Sequence, residues 1–234
     1  SFGSATVKVD AGADARDVAK SFNLSAGTTG INATAITKAS ITGLGKATTI
    51  SFTLQGKSST ASTVNATVDS TSNLTALKDA INSVSGATGI SASLTTDLSG
   101  INLVQQDGYD IVIGDVTTTH ISGTMTVKVA DKSGTAQGTE QTLKGFTTGN
   151  DSVAMVGQVS LSSHKAFTVA SGDAANHFAT DTSAQTSTLQ SMGAVDISSQ
   201  TGATKALSVI DGAIAMISEV RSEMGAAENR LTST

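Results

Sequence analysis

The chain has 234 residues, a net charge of −5, and no Cys, Pro or Trp. An acidic chain with 3% aromatic residues lacks the basic, aromatic-interleaved surface that nucleic acid requires, and the absence of Cys excludes a disulfide framework, a thiolate metal site and a Cys nucleophile. No run of about 18 apolar residues is present, so no segment reads as a membrane-crossing helix.

Ser, Thr, Ala and Gly dominate, yet Val, Ile and Leu recur at alternating positions and charged residues are only 14% of the chain. That pattern argues for an ordered, β-rich protein with small side chains in narrow cores, not for a solvated tail. Near the N-terminus, VAKSFNLSAGTTGINATAIT (18–37) aligns without a gap on LKDAINSVSGATGISASLTT (77–96). The shared residues are Asn23/Asn82, Gly27/Gly86, Thr29/Thr88, Gly30/Gly89, Ile31/Ile90, Ala33/Ala92 and Thr37/Thr96. A constant offset over this stretch predicts a repeated supersecondary unit.

The second copy is the easier one to read. Thr49 to Gln55 alternates Ile50, Phe52 and Leu54, which predicts a strand ending at Gly56. Asp69 to Asn73 is rich in N-cap formers, and Leu74, Leu77, Ile81 and Val84 follow at helical spacing, so a helix is expected near 74–84. Gly86 and Gly89 end it. Ile90, Ala92 and Leu94 alternate as a strand, Asp97 to Gly100 is a turn, and Ile101 to Val104 is a second strand. Asp107-Gly108 reads as a hairpin dipeptide leading to a third strand at Asp110 to Ile113. The predicted order is strand, helix, strand, strand, strand, with the helix covering one face of a small antiparallel sheet. Ala80-Ile81-Asn82, the Thr88 to Ala92 step and Asp107 to Ile111 make 49–113 resemble the insertion motif of flagellin outer domains and of related hook and cap proteins. The first copy, about 5–37, keeps the Asn and the Thr-Gly-Ile-x-Ala step but lacks the Asp-Gly-Tyr-Asp ending, so it reads as degenerate or truncated.

Beyond it, Met125, Val127 and Val129 predict a strand ending at Asp131 to Gly134. Val153 and Met155 lead to Val159 and Leu161, then Phe167, Val169 and a turn at Ser171 to Asp173. The run 156–171 resembles a strand pair of flagellin outer domains. Ala174 to Ala194 is small and polar and is expected to be a loop with a short helical turn.

From Asp196 the chain changes character. Apolar or small residues recur at Ala203, Leu207, Ile210, Ile214, Ile217, Val220, Met224, Ala227 and Leu231, in steps of 4, 3, 4, 3, 3, 4, 3 and 4. This is a coiled-coil type seam with one slip between Ile217 and Val220. A long helix with one narrow apolar stripe needs a second helix to cover it, and no upstream segment predicts one of comparable length. The order Ala206-Leu207, Ile210-Asp211, Ala213-Ile214, Arg221, Gly225-Ala226 and Asn229-Arg230-Leu231 resembles the C-terminal core helix of bacterial flagellin.

The resemblance implies a fold of the α+β class: β-rich outer domains with short helices, joined to a long C-terminal coiled-coil-like helix. It implies an outer domain at 1–117 with two insertion-motif-like repeats, a further β-rich outer segment at 118–195, and a filament-core helix at 196–234. Leu207, Ile210, Ile214, Ile217, Val220, Met224 and Leu231 are then the helix-packing seam. In flagellins that helix packs on helices from the N-terminal part of the chain, so a piece truncated at both ends is expected, monomeric when alone. The implied function is an extracellular structural subunit of the flagellar filament. Its implied partners are other flagellin subunits, an export chaperone and an innate immune receptor, with no nucleic acid, membrane, metal or cofactor. A hook-associated or cap protein is the alternative, and a carbohydrate-binding adhesin, short of aromatic platforms, is a distant one.

No pattern of catalysis stands against this reading. His120, His164 and His177 are isolated in sequence, without the His-Glu-x-x-His of a zinc protease. Asp107, Asp110 and Asp115 are dense but interrupted by strand residues, unlike a calcium loop. No phosphate-binding loop or GxSxG elbow occurs. Asn-x-Ser/Thr triplets at Asn23, Asn32, Asn65 and Asn73 are expected from composition.

Overall fold

The computed structural model describes residues 3–145, 150–170, 184–189, 195, 197–198 and 200–232. The chain divides into two compact units, one of Val7–Ser21 and Ala33–Ser160, the other of Ser1–Thr6, Phe22–Asn32 and Leu161–Thr234. The expected turn at Ser171 to Asp173 and most of the expected loop at 174–194 lie outside the described residues.

The elements in chain order are α1 (Ala15–Leu24), α2 (Ala26–Thr29), β1 (Asn32–Leu44), β2 (Thr48–Gln55), β3 (Ser62–Val68), α3 (Thr75–Ser83), α4 (Ser85–Thr88), β4 (Ile90–Leu94), β5 (Ile101–Gln105) and β6 (Ile111–Thr118). Then come β7 (Thr124–Ala130), β8 (Ala136–Lys144), β9 (Val153–Met155), β10 (Gln158–Ser162), β11 (Thr168–Val169), β12 (Gln185–Thr186) and α5 (Gln200–Thr232). The β-rich class with short helices and a C-terminal helix is therefore present.

Two sheets organise the larger unit. One has the order β4-β5-β1-β7-β8, with β10 also pairing β1; the other has the order β3-β2-β6-β9. β2 pairs antiparallel with β3 and β6, and β5 antiparallel with β1 and β4. One hydrophobic core draws on both sheets and on α3, with Ile41, Leu103 and Met125 from the first sheet, Phe52, Leu54 and Ile113 from the second, and Leu77 and Ile81 from α3. Period-2 alternation supplies these side chains from the strands, and the spacing of Leu74, Leu77 and Ile81 supplies one face of α3.

The repeat read in the sequence recurs as a repeat of hydrogen bonds. In the second copy Thr88 donates its hydroxyl to the Val84 carbonyl at 3.1 Å and accepts the Ile90 N–H at 3.2 Å. In the first, Thr29 donates to the Ser25 carbonyl at 2.9 Å and accepts the Ile31 N–H at 3.3 Å. Each one-turn helix then stops on a left-handed glycine, Gly30 at φ 66° and Gly89 at φ 71°, whose N–H closes the turn at 2.7 Å. A side chain is strained in that region and glycine is not, which is why both copies keep the Thr-Gly pair. Asn82 completes the second copy: its carboxamide donates to the Ala92 carbonyl and accepts the Ala92 N–H, tying α3 to β4.

Three expectations are corrected. Asp107-Gly108 is not a hairpin turn, because β5 and β6 belong to different sheets. A two-residue hairpin of this kind needs positive φ at both central residues, and only Gly108, at φ 81°, has it. The buried Gln105 closes the passage instead, accepting the Tyr109 N–H at 3.1 Å. Second, β3 stands between β2 and α3, so the expected strand order lacked an element. Third, 156–171 is not a strand pair: β10 joins β1, while β11 pairs β12. One irregularity in β6 also has a clear cause. The register against β2 slips between Ser51 and Thr53, Asp115 adopts φ 52°, and its carboxylate accepts the Thr53 hydroxyl at 3.2 Å. That is a β-bulge, and Asp tolerates the left-handed region better than most residues.

Candidate assembly surface

α5 runs for 33 residues, about 50 Å at 1.5 Å per residue. Proline is absent, and strong helix formers such as Ala, Met, Glu and Arg outweigh Gly202 in the first turn and the interior Gly212 and Gly225, each interior glycine costing about 1 kcal/mol relative to Ala. The seam residues Leu207, Ile210, Ile214, Ile217, Val220, Met224 and Leu231 all stand exposed, from 38% at Ile210 to 80% at Leu231. Met216 and Ile197 add to the exposed apolar surface. Among the described side chains of α5, only Ala206 is buried. No other helix among the described residues exceeds ten residues, so nothing there winds around α5 as a coiled coil.

The opposite side of α5 is held. Glu219 accepts from His164 Nε2 at 2.9 Å and from Lys165 Nζ at 2.7 Å. At roughly 100° per residue, Glu219 lies about 200° round the helix from Ile217, on the face away from the seam. The Lys165 ammonium, and after it His164, hold the Glu219 carboxyl below its ordinary value. Sequence spacing could not reveal this contact, because 54 residues separate Lys165 from Glu219. A carboxylate whose pKa is depressed in the fold stabilises above its unfolded pKa and loses that effect as pH falls through the folded one. Acidification through that window, or Glu219→Gln at neutral pH, should speed amide exchange across the middle of α5. Unchanged exchange in both cases would count against the tether.

The other residues singled out do not gather. His120 accepts the Ser122 N–H at Nδ1 within a turn, and His177 lies outside the described residues. Asp115 sits in the bulge, Asp110 accepts the Gly157 N–H at 3.4 Å, and Asp107 is exposed. Among the described residues no group of three or more His, Asp and Glu side chains could hold a metal ion, and no helix is long and apolar enough to cross a membrane.

Residues 49–107, which span β2 to β5, match the family model described as the flagellin hook IN motif. Over 160 residues, 68% of this chain, the sequence is 31% identical to the B-type flagellin of Pseudomonas aeruginosa. The chain covers 32% of that relative's length. Both matches support the resemblance to bacterial flagellin.

Proposed function

We propose that this chain is part of a flagellin, an extracellular structural subunit of the bacterial flagellar filament that carries no catalysis. The flagellin-like insertion motif supports the family, and the exposed apolar face of α5 supports the role. A seam of Leu, Ile, Val and Met open to water is unstable until covered, each such side chain gaining about 1.5–3 kcal/mol on full burial. In this reading Leu207, Ile210, Ile214, Ile217, Val220, Met224 and Leu231 pack against helices from outside these residues as a coiled-coil-like bundle. The segment 196–234 is core helix, and 1–117 and 118–195 form the outward-facing β-rich portion. Other flagellin subunits are the main partners. An export chaperone and an innate immune receptor are secondary ones.

The 234-residue chain tests this directly. Sedimentation velocity should show a monomer, and electron microscopy should show no filaments. Filaments formed by this chain alone would overturn the claim that assembly needs helices from elsewhere.

A further inference from the structure

Lacking Cys and Trp, this chain offers a mild two-electron oxidant its five methionine thioethers before any other side chain. The fold sorts them by access. Met125 on β7 and Met155 on β9 are buried in the hydrophobic core, where close packing keeps an oxidant from the sulfur. Met216 and Met224 on α5 stand 55% and 67% exposed. Met192 lies outside the described residues.

The two exposed methionines differ in position. Met224 follows Ile217 by seven residues and Val220 by four, which places it on the seam. Met216 directly precedes Ile217, about 100° away round the helix, and flanks the seam. An unmodified Met suits a helix–helix contact, because its unbranched thioether fills irregular gaps and carries no strong hydrogen-bonding group. Its sulfoxide is polar and chiral. Burial would strip water from the new oxygen, and the Leu, Ile and Val side chains of the seam supply no donor in its place.

We propose that Met224 is an oxidation-sensitive position of the assembly seam: a peroxide converts its thioether to the sulfoxide in the free subunit, and the oxidised subunit then fails to pack α5. This rests on the reading of α5 as a filament-core helix. With hydrogen peroxide, one oxygen moves to the sulfur, the O–O bond breaks, and the other oxygen leaves as water with both hydrogens. Sulfur gives up two electrons and the peroxide takes them. The free subunit is the vulnerable form, since packing of the seam covers the sulfur. Methionine sulfoxide reductase reverses the change.

Hydrogen peroxide applied to the 234-residue chain, followed by peptide mass mapping, should add one oxygen at Met216 and Met224 well before Met125 and Met155. Equal oxidation of all four overturns the sorting by access. In an intact flagellin carrying this sequence, peroxide treatment of the monomer should raise the concentration needed for filament growth about tenfold or more. Met224→Leu, a volume-conserving exchange, should remove that block, and Met216→Leu should not. Methionine sulfoxide reductase should restore growth of the oxidised wild type. A block that persists in Met224→Leu, or that the reductase leaves in place, overturns the proposal. The double variant Ile214→Asp with Ile217→Asp separates two failures. If it stops growth while oxidised wild type grows normally, only the role of Met224 falls. If it also grows, the reading of α5 falls as well.

Discussion

Ile214→Asp together with Ile217→Asp, introduced into an intact flagellin carrying this sequence, is expected to abolish filament formation. Both side chains stand more than half exposed, at 57% and 61%, so neither supports the fold of the described residues. In an assembled bundle both would be desolvated. An unpaired carboxylate buried there costs several kcal/mol, on top of the 1.5–3 kcal/mol forfeited by each lost Ile. The same variant should leave the melting of the β-rich unit unchanged. Electron microscopy and a thermal melt on one preparation separate the two effects. Normal filaments from the double variant would remove α5 from the assembly interface. Loss of filaments with loss of folding would make the seam a stability feature instead.

Phe52→Ala acts on the other unit and should be the most damaging single truncation there. Phe52 is 1% exposed on β2, which is flanked by β3 and β6, and it faces Val64 across the ladder. Truncating a buried Phe to Ala costs about 3–5 kcal/mol through lost transfer energy and the cavity left behind. Domains have only about 5–15 kcal/mol in total, so a drop of roughly 10 °C or more in melting temperature is expected. Thr63→Ala, on the exposed face of β3, should change stability by no more than about 0.5 kcal/mol. Urea unfolding of both variants checks the contrast. Equal effects would mean that the shared core is not what holds the two sheets.

Local rules made much of this legible. The α3 helix, the Thr-Gly stop and the strand after it were readable because each depends on residues within a few positions of one another. The apolar stripe of α5 was readable for the same reason. β3 alternates Val64, Ala66 and Val68 with small polar residues, but in so Thr-rich a chain that signal is faint. β8 gives almost none: of its nine residues only Leu143 is buried, so nothing alternates. The passage at Asp107-Gly108 misled because the dipeptide reports local turn chemistry, while the choice of partner strand rests on burial of Ile111 and Ile113 in the second sheet. The Glu219 tether was invisible because ion pairs between distant residues leave no periodic trace.

The stretch recognised by homology is not a self-sufficient brick. Its opening strands, β2 and β3, belong to one sheet, and its closing strands, β4 and β5, to the other. β6 lies beyond the matched residues and pairs with β2 in the sheet of β2 and β3, while β1 lies before them and covers the open edge of β5. Excision at residues 49 and 107 would therefore bare two ladders at once. The matched stretch is stitched into the fold from both sides, and its neighbours in sequence are also its scaffolding.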